Sequence, residues 1–274
     1  MKKTTIFYFS GTGNTKWVTD KIAENLKSAD NEVKAISIES INKSDVEDYI
    51  KYSEVMGLGY PIYGSDLPEP MKDFIDALPK QKKPISVFVF CTQMMFSGDG
   101  AFVYKKNLML KGYTISHTAH INMPNNISIT PFPLRILPKK KHEQVIKKAA
   151  RKIARFSKAI VSNKKFFNGK YGYLLGIIQR GPYRAAYSKM QNLLKTDKDR
   201  CIKCNRCIRL CPVGNISLKD EYPDFQGKCV LCIRCYNFCP TSAIMYNGNL
   251  HNDKKPLYKG PVSGFKPEEL KKNR

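Results

Sequence analysis

Two runs of cysteines near the C-terminus constrain the fold of this chain more than any other feature. The run that begins at Cys201 has the spacing Cys-x2-Cys-x2-Cys-x3-Cys-Pro, and the run that begins at Cys229 repeats it. Of the nine cysteines, only Cys91 lies outside the two runs, and we expect it to be a small buried apolar residue. Closely spaced thiols form disulfides in secreted proteins but bind metals in cytosolic ones. The apolar stretch after Met1 is too short for a signal peptide, so the sequence predicts a cytoplasmic, metal-binding protein.

The spacing of both runs resembles that of bacterial ferredoxins with two [4Fe–4S] clusters, at every cysteine and at the proline. This resemblance implies that each cluster takes three cysteines from one run and the fourth from the other. The implied ligands of the first cluster are Cys201, Cys204, Cys207 and Cys239, and those of the second are Cys229, Cys232, Cys235 and Cys211. Structural zinc is the alternative, but its paired Cys-x2-Cys sites leave the third cysteine of each run without a role. We expect a small α+β ferredoxin domain over residues 197–248, stabilised largely by its clusters.

The first half of the chain alternates strand and helix patterns. Short β-branched and aromatic runs predict strands at Thr4–Phe9, Val33–Ile38, Val55–Tyr60, Ile85–Cys91 and Tyr113–Ile121. The segments between and after them predict helices at Asn14–Leu26, Ser44–Lys51, Glu69–Leu78, Gly100–Leu110 and His142–Val161. This alternation predicts an α/β fold, a doubly wound parallel sheet of five strands that binds ligands beyond the carboxyl ends of its strands.

A glycine-rich loop joins the first predicted strand to the first predicted helix. Its residues are Ser10, Gly11, Thr12, Gly13, Asn14 and Thr15. Hydroxyl groups and backbone N–H groups at a helix N-terminus favour an anion. The loop is not a dinucleotide fingerprint, because Lys16 stands at the third glycine position, and it lacks the Gly-Lys-Ser/Thr of a Walker A loop. It resembles the loop that holds the FMN phosphate in flavodoxins.

The flavodoxin resemblance covers residues 1–162. With residues 197–248, the chain resembles the fused flavodoxin-like and ferredoxin proteins of anaerobic bacteria. In such a domain, the loops after the third and fourth strands flank the flavin ring. The candidate cofactor-binding residues in these loops are Tyr60, Pro61, Tyr63, Gly64, Thr92, Gln93, Phe96, Gly98 and Asp99. Tyr60, Tyr63 and Phe96 are the predicted ring contacts, although each can simply pack its own loop, and residues 98–100 can merely cap the next helix.

Positive charge is concentrated in the middle of the chain. The net charge is +24, of which residues 139–200 contribute +15, with 18 Lys and Arg against 3 Asp and Glu. Residues 163–196 form a basic, aromatic connector between the two predicted domains. This charge can be a solvated surface, can offset the charge of the cofactors, or can bind an acidic redox partner or an anionic membrane surface. No reader motif supports a nucleic-acid partner. Residues 249–274 form a polar tail, and its segment from Asn252 to Arg274 is expected to be mobile.

The residues Asn122–Pro138 include Pro124, Pro131, Pro133 and Pro138, which prevents regular structure throughout. The segment is either a surface loop or a lid over a site. Our main hypothesis is a protein that passes electrons between FMN and two [4Fe–4S] clusters. The alternatives are a flavin-dependent reductase of a small substrate, fed by the clusters, and a non-catalytic iron–sulfur sensing or binding module. No motif identifies a catalytic residue or a nicotinamide-binding domain.

Overall fold

The N-terminal part of the chain is built on one parallel sheet. The structure, a computed structural model, describes residues 1–130 and 134–271, so Pro131 and Pro133 lie outside the described residues. The strands are β1 (Lys3–Tyr8), β2 (Glu32–Ser37), β3 (Val55–Pro61), β4 (Ile85–Gln93) and β5 (Tyr113–Asn122). They lie in the order β2-β1-β3-β4-β5, and all neighbouring pairs are parallel. The five predicted strands are confirmed, with small shifts at their ends.

Helices follow the strands on both faces of the sheet. They are α1 (Asn14–Lys27), α2 (Val46–Tyr52), α3 (Glu69–Ala77), α4 (Lys105–Leu110) and α5 (Lys139–Val161). Two predicted helices are shorter than expected, because the 3₁₀ turns Lys43–Asp45 and Gly100–Phe102 take up their first residues. The sequence order of the strands reverses between β1 and β3, and the carboxyl edge at such a point is where open α/β sheets bind ligands.

The two faces of the sheet carry separate apolar cores. Phe7 on β1 packs on one face, whereas Ile6 packs on the other against α1 and α5. Successive side chains of the neighbouring strands also pack into one core and then the other, as expected when both faces of a parallel sheet are covered. Gly59 gives space to the ring of Phe90, since a Cβ atom at Gly59 would lie 2.2 Å from that ring. Large side chains on β4 are thus accommodated by small residues on β3.

The basic connector is ordered, and its main element is a helix that the sequence analysis did not assign. Residues 166–168 run alongside β5, where Thr118 donates a backbone hydrogen bond to Phe166 at 2.8 Å. Helix α6 (Tyr173–Met190) follows. Its glycines and Pro182 give it a low intrinsic helix propensity. Tertiary packing therefore decides its conformation.

The cysteine-rich part forms a small α+β domain, as predicted. The element order is β6 (Leu194–Thr196), α7 (Arg206–Leu210), β7 (Ile216–Lys219), β8 (Tyr222–Phe225), α8 (Arg234–Asn237) and β9 (Ile244–Tyr246). Strand β6 pairs antiparallel with β9, and β7 pairs antiparallel with β8. The two short helices begin inside the two cysteine runs, so the sequence repeat is also a structural repeat.

The expectation of a mobile tail is wrong for the described residues, because the tail packs on the rest of the chain. Tyr258 and Leu270 are each only 1% exposed. Pro261 lies against the glycine-rich loop, and its carbonyl contacts Nε2 of His142 at 2.7 Å. Apolar residues spaced through a polar sequence therefore anchor this segment. None of the helices in the described part of the chain has the length and apolar composition needed to cross a bilayer.

Candidate functional site

The glycine-rich loop at the carboxyl end of β1 has the features of an anion site. Residues 11–15 are buried, and helix α1 starts at Asn14 without an acidic residue in its first turn. Gly13 adopts a φ of 107°, which an L side chain rarely tolerates. The hydroxyl of Ser10 accepts a hydrogen bond from the backbone of Lys16 at 3.1 Å. Among the described residues, no acceptor faces the backbone N–H groups of residues 11–15, so they are available to a negatively charged group.

Polar side chains gather around this loop. The amide of Asn126 donates to the hydroxyl of Thr12 at 2.7 Å. The hydroxyls of Thr15 and Thr92 lie 2.8 Å apart, and the amide of Asn14 donates to a backbone carbonyl at 3.1 Å. Two of these side chains come from β4 and the Pro-rich segment, so separate parts of the chain converge on the helix N-terminus.

The loop opens into a cavity of about 300 Å³ between the two domains. Beyond the polar end, the cavity walls are mostly apolar. The flavodoxin-like part contributes Pro61, Ile62, Tyr63, Gly64, Gln93 and Met94, and the Pro-rich segment contributes Ile127 and Ile129. The rest of the chain contributes Tyr183, Met190, Leu194, Leu231, Ile233 and Tyr246. One polar end and one apolar end fit a ligand with a phosphate group and a flat ring system.

Nine of the predicted cofactor-binding residues line this cavity: Gly11, Thr12, Asn14, Thr15, Pro61, Tyr63, Gly64, Thr92 and Gln93. Six do not: Ser10, Gly13, Tyr60, Phe96, Gly98 and Asp99. The nine lining residues come from all three predicted loops, which therefore meet at one edge of the sheet. For all fifteen residues, contact with a cofactor stays a prediction.

The residues outside the lining have structural partners instead. Tyr60 is buried in the core on one face of the sheet, and its hydroxyl donates to the carbonyl of Gly100 at 3.2 Å. Phe96 is 53% exposed, and neither aromatic lines the cavity, so a ring contact stays a prediction for both. Asp99 forms a buried ion pair with Arg180 of α6, at 2.6 Å between Oδ1 and Nη1. Gly98 lies against the first turn of the same helix. Helix α6 therefore occupies the outer side of the loop after β4.

The sequence did not predict the cavity-lining residues that lie outside the flavodoxin-like part. Tyr183 of α6 packs directly against Gly64, where a Cβ atom would lie 2.1 Å from the tyrosine. Leu231 and Ile233 lie between cysteines of the second run. The only signal for them was the presence of apolar and aromatic residues inside a basic connector and inside a ligand loop.

The eight cysteines divide into two groups of four. One small cavity is lined by Cys201, Cys204, Cys207 and Cys239, and another by Cys211, Cys229, Cys232 and Cys235. These are the groupings that crossed ligation implies. Within the described residues, no three Cys, His, Asp or Glu side chains converge on one single-ion position. Four thiol donors around one cavity fit an iron–sulfur cluster.

The backbone of the two cysteine runs is shaped in the same way. Lys203 and Leu231, which occupy equivalent positions, have φ values of 55° and 56°. Asn205 and Ile233, also equivalent, have φ values of 56° and 52°. Such values are uncommon outside glycine, and a β-branched residue such as Ile233 is strained there. The left-handed residues turn the chain between successive cysteines, so both runs present their thiols to one side.

Buried thiols of the second group need a positive partner to ionise. Burial raises the pKa of Cys232 to about 12, although the neighbouring Arg234 guanidinium acts to lower it, and Cys229 and Cys211 raise it further. Backbone N–H groups already point at the sulfurs, as from Asn215 to Cys211 at 3.2 Å. Ligation by a cationic metal centre would supply the charge that makes these thiols thiolates, and N–H···S bonds tune such a centre.

Arg234 links the second cysteine run to the glycine-rich loop. Its side chain is fully buried, and Nε donates to the carbonyl of Gly11 at 2.6 Å, while Nη2 donates to that of Ser10 at 2.6 Å. A Cβ atom at Gly11 would lie 2.3 Å from the Tyr63 hydroxyl and 3.3 Å from the carbonyl of Cys232. The second cysteine group is thus in contact with the phosphate-type loop.

The strand order and the glycine-rich helix N-terminus at the carboxyl edge of the sheet are those of a flavodoxin-like unit. The separate cysteine domain is a ferredoxin-like unit fused to it. The protein is therefore of the electron-transport class. The chain belongs to the flavodoxin family through its N-terminal part. A family model described as a flavodoxin domain matches residues 5–122, and one described as a 4Fe-4S dicluster domain matches residues 187–244. The flavodoxin of Megasphaera elsdenii is 33% identical over 127 residues, which cover 44% of this chain and 88% of that protein.

Several of the similar solved structures are flavodoxins. The oxidised Flavodoxin 1 of Bacillus cereus is 22% identical, with a TM-score of 0.40, over 57% of this chain and 97% of that one. The two-electron reduced flavodoxin of Megasphaera elsdenii is 24% identical, with a TM-score of 0.41, over 56% of this chain and 97% of that one.

Proposed function

We propose that this protein passes electrons between an FMN, held in the cavity between the domains, and two [4Fe–4S] clusters held by the two cysteine groups. The observation that carries the proposal is the shared wall of that cavity. Leu231 and Ile233 line the cavity, and the same loop contains Cys229, Cys232 and Cys235. One short segment therefore serves as part of a flavin wall and as a ligand loop.

When bound, the flavin supplies one- and two-electron chemistry, and the clusters supply one-electron steps. The protein residues supply position and environment. The free N–H groups of residues 11–15 and the hydroxyls of Thr12 and Thr15 would hold the phosphate. Tyr63 and Tyr183 would lie along the ring system, and apolar side chains from both domains exclude water from it.

The different exposure of the two cysteine groups supports an order in which electrons pass between them. Cys204 of the first group is exposed, whereas Cys229, Cys232 and Cys235 of the second group are buried. Burial also raises the pKa of Cys235, with the other second-group thiols and Cys207 of the first group shifting it in the same direction. We assign to the first group the exchange of electrons with an external redox partner. The second group would exchange electrons with the flavin in the cavity.

The basic residues around the first group favour an acidic redox partner. Lys203 and Arg206 of the first cysteine run are paired with Glu221 and Glu268. Residues 201–274 nevertheless carry 13 Lys and Arg against 6 Asp and Glu, a net charge of +7, and Arg209 donates to the carbonyl of Cys204 at 2.9 Å. An acidic protein surface would be attracted to this region, and salt would weaken that attraction.

Anaerobic purification followed by reconstitution tests the proposal. We expect about eight irons per chain, four for each cluster, and one bound FMN. After rapid mixing of the protein with a one-electron reductant, flavin reduction should follow cluster reduction within one chain and should not depend on protein concentration. A protein that binds no FMN after reconstitution would exclude the flavin part. Clusters that are not reduced and reoxidised at physiological potentials would favour a sensing module.

A second candidate function is the reduction of a small substrate beside the flavin. The position of the Pro-rich segment favours it, because Ile127 and Ile129 close one side of the cavity. Turnover of small oxidants by the reduced protein tests this candidate. Substitution of Ile127 by Ala should change the KM for such an oxidant but leave cluster oxidation by a protein acceptor unchanged. Equal KM values for wild type and variant would exclude the role of this segment as a substrate lid.

A further inference from the structure

Helix α6 begins with a cluster of exposed apolar side chains. Its inward face, which includes Gly176 and Arg180, is buried, but the other residues of the first turns point outward. The exposed fractions are 91% for Tyr171, 65% for Tyr173, 70% for Leu174, 52% for Leu175, 43% for Ile177 and 60% for Ile178. Isolated exposed apolar residues need no explanation, whereas a contiguous group marks an interaction surface.

A second segment adds to the same surface. Met95 and Phe96, in the loop after β4, are 69% and 53% exposed. Two residues further along, Gly98 lies against the backbone of Gly172 and Gly176, since a Cβ atom there would be 2.5 Å from the nitrogen of Gly176. The two exposed groups therefore adjoin, and we call them together the apolar patch.

The surroundings of the apolar patch are strongly cationic. From residue 144 to residue 196 the chain contains no Asp or Glu. Lys164, Lys165 and Lys170 precede the patch and are all exposed, and Nζ of Lys170 lies 5.5 Å from the centre of the Tyr171 ring. The nearby Asp99 is buried and paired with Arg180, so it does not offset this surface charge.

We propose that the apolar patch and its lysines dock on an anionic lipid surface. Aliphatic and aromatic side chains inserted at the headgroup level, with flanking lysines, provide the two signals that stable peripheral binding requires. An acidic protein partner is less suited to this surface, because Lys is depleted at protein–protein interfaces. The proposal does not depend on flavin binding or on electron transfer.

Vesicle flotation with the purified protein tests the proposal. We expect co-flotation with vesicles that contain phosphatidylglycerol, little with phosphatidylcholine alone, and a decrease at high salt. Substitution of both Leu174 and Ile178 by Gln should lower binding to the anionic vesicles by about tenfold, because the inserted apolar area is lost. Leu218, which is 55% exposed on the cysteine domain, provides the matched control, since Leu218→Gln should bind like wild type.

Several results would overturn the proposal. These are no flotation with anionic vesicles at low salt, equal flotation of wild type and the Leu174/Ile178 variant, and binding to an acidic protein without binding to vesicles. Self-association through the patch, detected by sedimentation and abolished by the same two substitutions, would also overturn it if vesicles remain unbound. Unchanged circular dichroism spectra of the variants exclude misfolding as the cause of a lost signal.

Discussion

Arg234 and Glu39 form a buried ion pair that joins the cysteine domain to the flavodoxin-like domain. Their side chains are 1% and 3% exposed, and Nη1 of Arg234 lies 2.7 Å from the Glu39 carboxylate. The same guanidinium donates to the carbonyls of Ser10 and Gly11. A charge this deeply buried is stable only with its partners, so the pair fixes the position of the second cysteine run against the loop.

Substitution of Arg234 by Met should separate the two domains at this point. It leaves the Glu39 carboxylate buried without a partner, which typically costs about 3–5 kcal/mol. We expect a lower unfolding midpoint and an FMN affinity weaker by at least about tenfold, measured by flavin fluorescence. Arg206→Gln is the matched control, because Arg206 pairs with Glu268 at an exposed position, and such pairs contribute about 1 kcal/mol or less. Equal FMN affinity in Arg234→Met and wild type would contradict the linking role.

The pair of Arg180 and Asp99 should hold α6 over the cavity. Nη1 of Arg180 also donates to the carbonyl of Ser65 at 2.9 Å. Arg180→Ala removes these contacts and should destabilise the docking of α6 by about 3 kcal/mol. The measurement is limited proteolysis, in which cleavage between residues 164 and 190 should become faster. Lys189→Ala, an exposed change on the same helix, should leave the cleavage rate unchanged, and similar rates for both variants would argue against this role.

The tail should stabilise the glycine-rich loop through one hydrogen bond. The hydroxyl of Tyr258 donates to Oδ1 of Asn14 at 2.5 Å, and burial raises the pKa of Tyr258, so the donor stays protonated. Tyr258→Phe should lower the free energy of unfolding by about 1–2 kcal/mol, because it leaves a buried acceptor unsatisfied. Chemical denaturation measures this loss. Tyr171→Phe, at an exposed position, should have no measurable effect.

Crossed ligation predicts which cluster a given cysteine supports. Cys239 belongs to the second run but lines the cavity of the first group. Cys239→Ser should therefore remove the same component of the EPR spectrum of the reduced protein as Cys204→Ser. Cys235→Ser should remove the other component. If Cys239→Ser and Cys235→Ser give the same residual spectrum, the ligands are not crossed.

The stability of the N-terminal domain should fall in mild acid because of His120. Burial lowers its pKa to about 4, and Nε2 accepts a hydrogen bond from the backbone of Ala101 at 3.1 Å. Between about pH 6.5 and pH 4 the unfolded chain binds a proton at this site that the folded chain does not. Unfolding is therefore favoured as the pH falls, by about 2 kcal/mol at pH 5.

His120→Gln should flatten this dependence, because its amide oxygen can still accept the hydrogen bond but does not titrate. Melting temperatures of the two proteins at pH 5 and pH 8 provide the measurement. Burial also lowers the pKa of His117, which adds a smaller change of the same sign in both proteins. A wild-type melting temperature that drops no more than that of the variant would contradict the assignment.

The parts of the fold that follow a local pattern could be predicted from the sequence. Each strand of the main sheet is a short β-branched or aromatic run, and its ends are set by the loops that follow. The glycine-rich loop was evident because its residue types are required by its backbone, as at Gly13. The cysteine groups could be assigned from spacing and resemblance.

The remaining parts depend on contacts between distant residues. Helix α6 has a proline and glycines that disfavour it locally, and its position is determined by the pairing of Arg180 with Asp99 across more than eighty residues of sequence. Tyr60 was predicted as a ring contact from its place after β3, but its side chain points into the core. No local pattern shows which side of a loop a distant helix will cover.

The shared wall at Leu231 and Ile233 has a kinetic consequence. Two separate carriers must collide and orient before they exchange electrons, so their rate depends on concentration, viscosity and ionic strength. In the function we propose, the loop that holds Cys229, Cys232 and Cys235 also forms a wall of the flavin cavity, so the two sites lie on one chain and exchange without a collision. Exchange across this wall should proceed at the same speed in dilute buffer and in viscous glycerol.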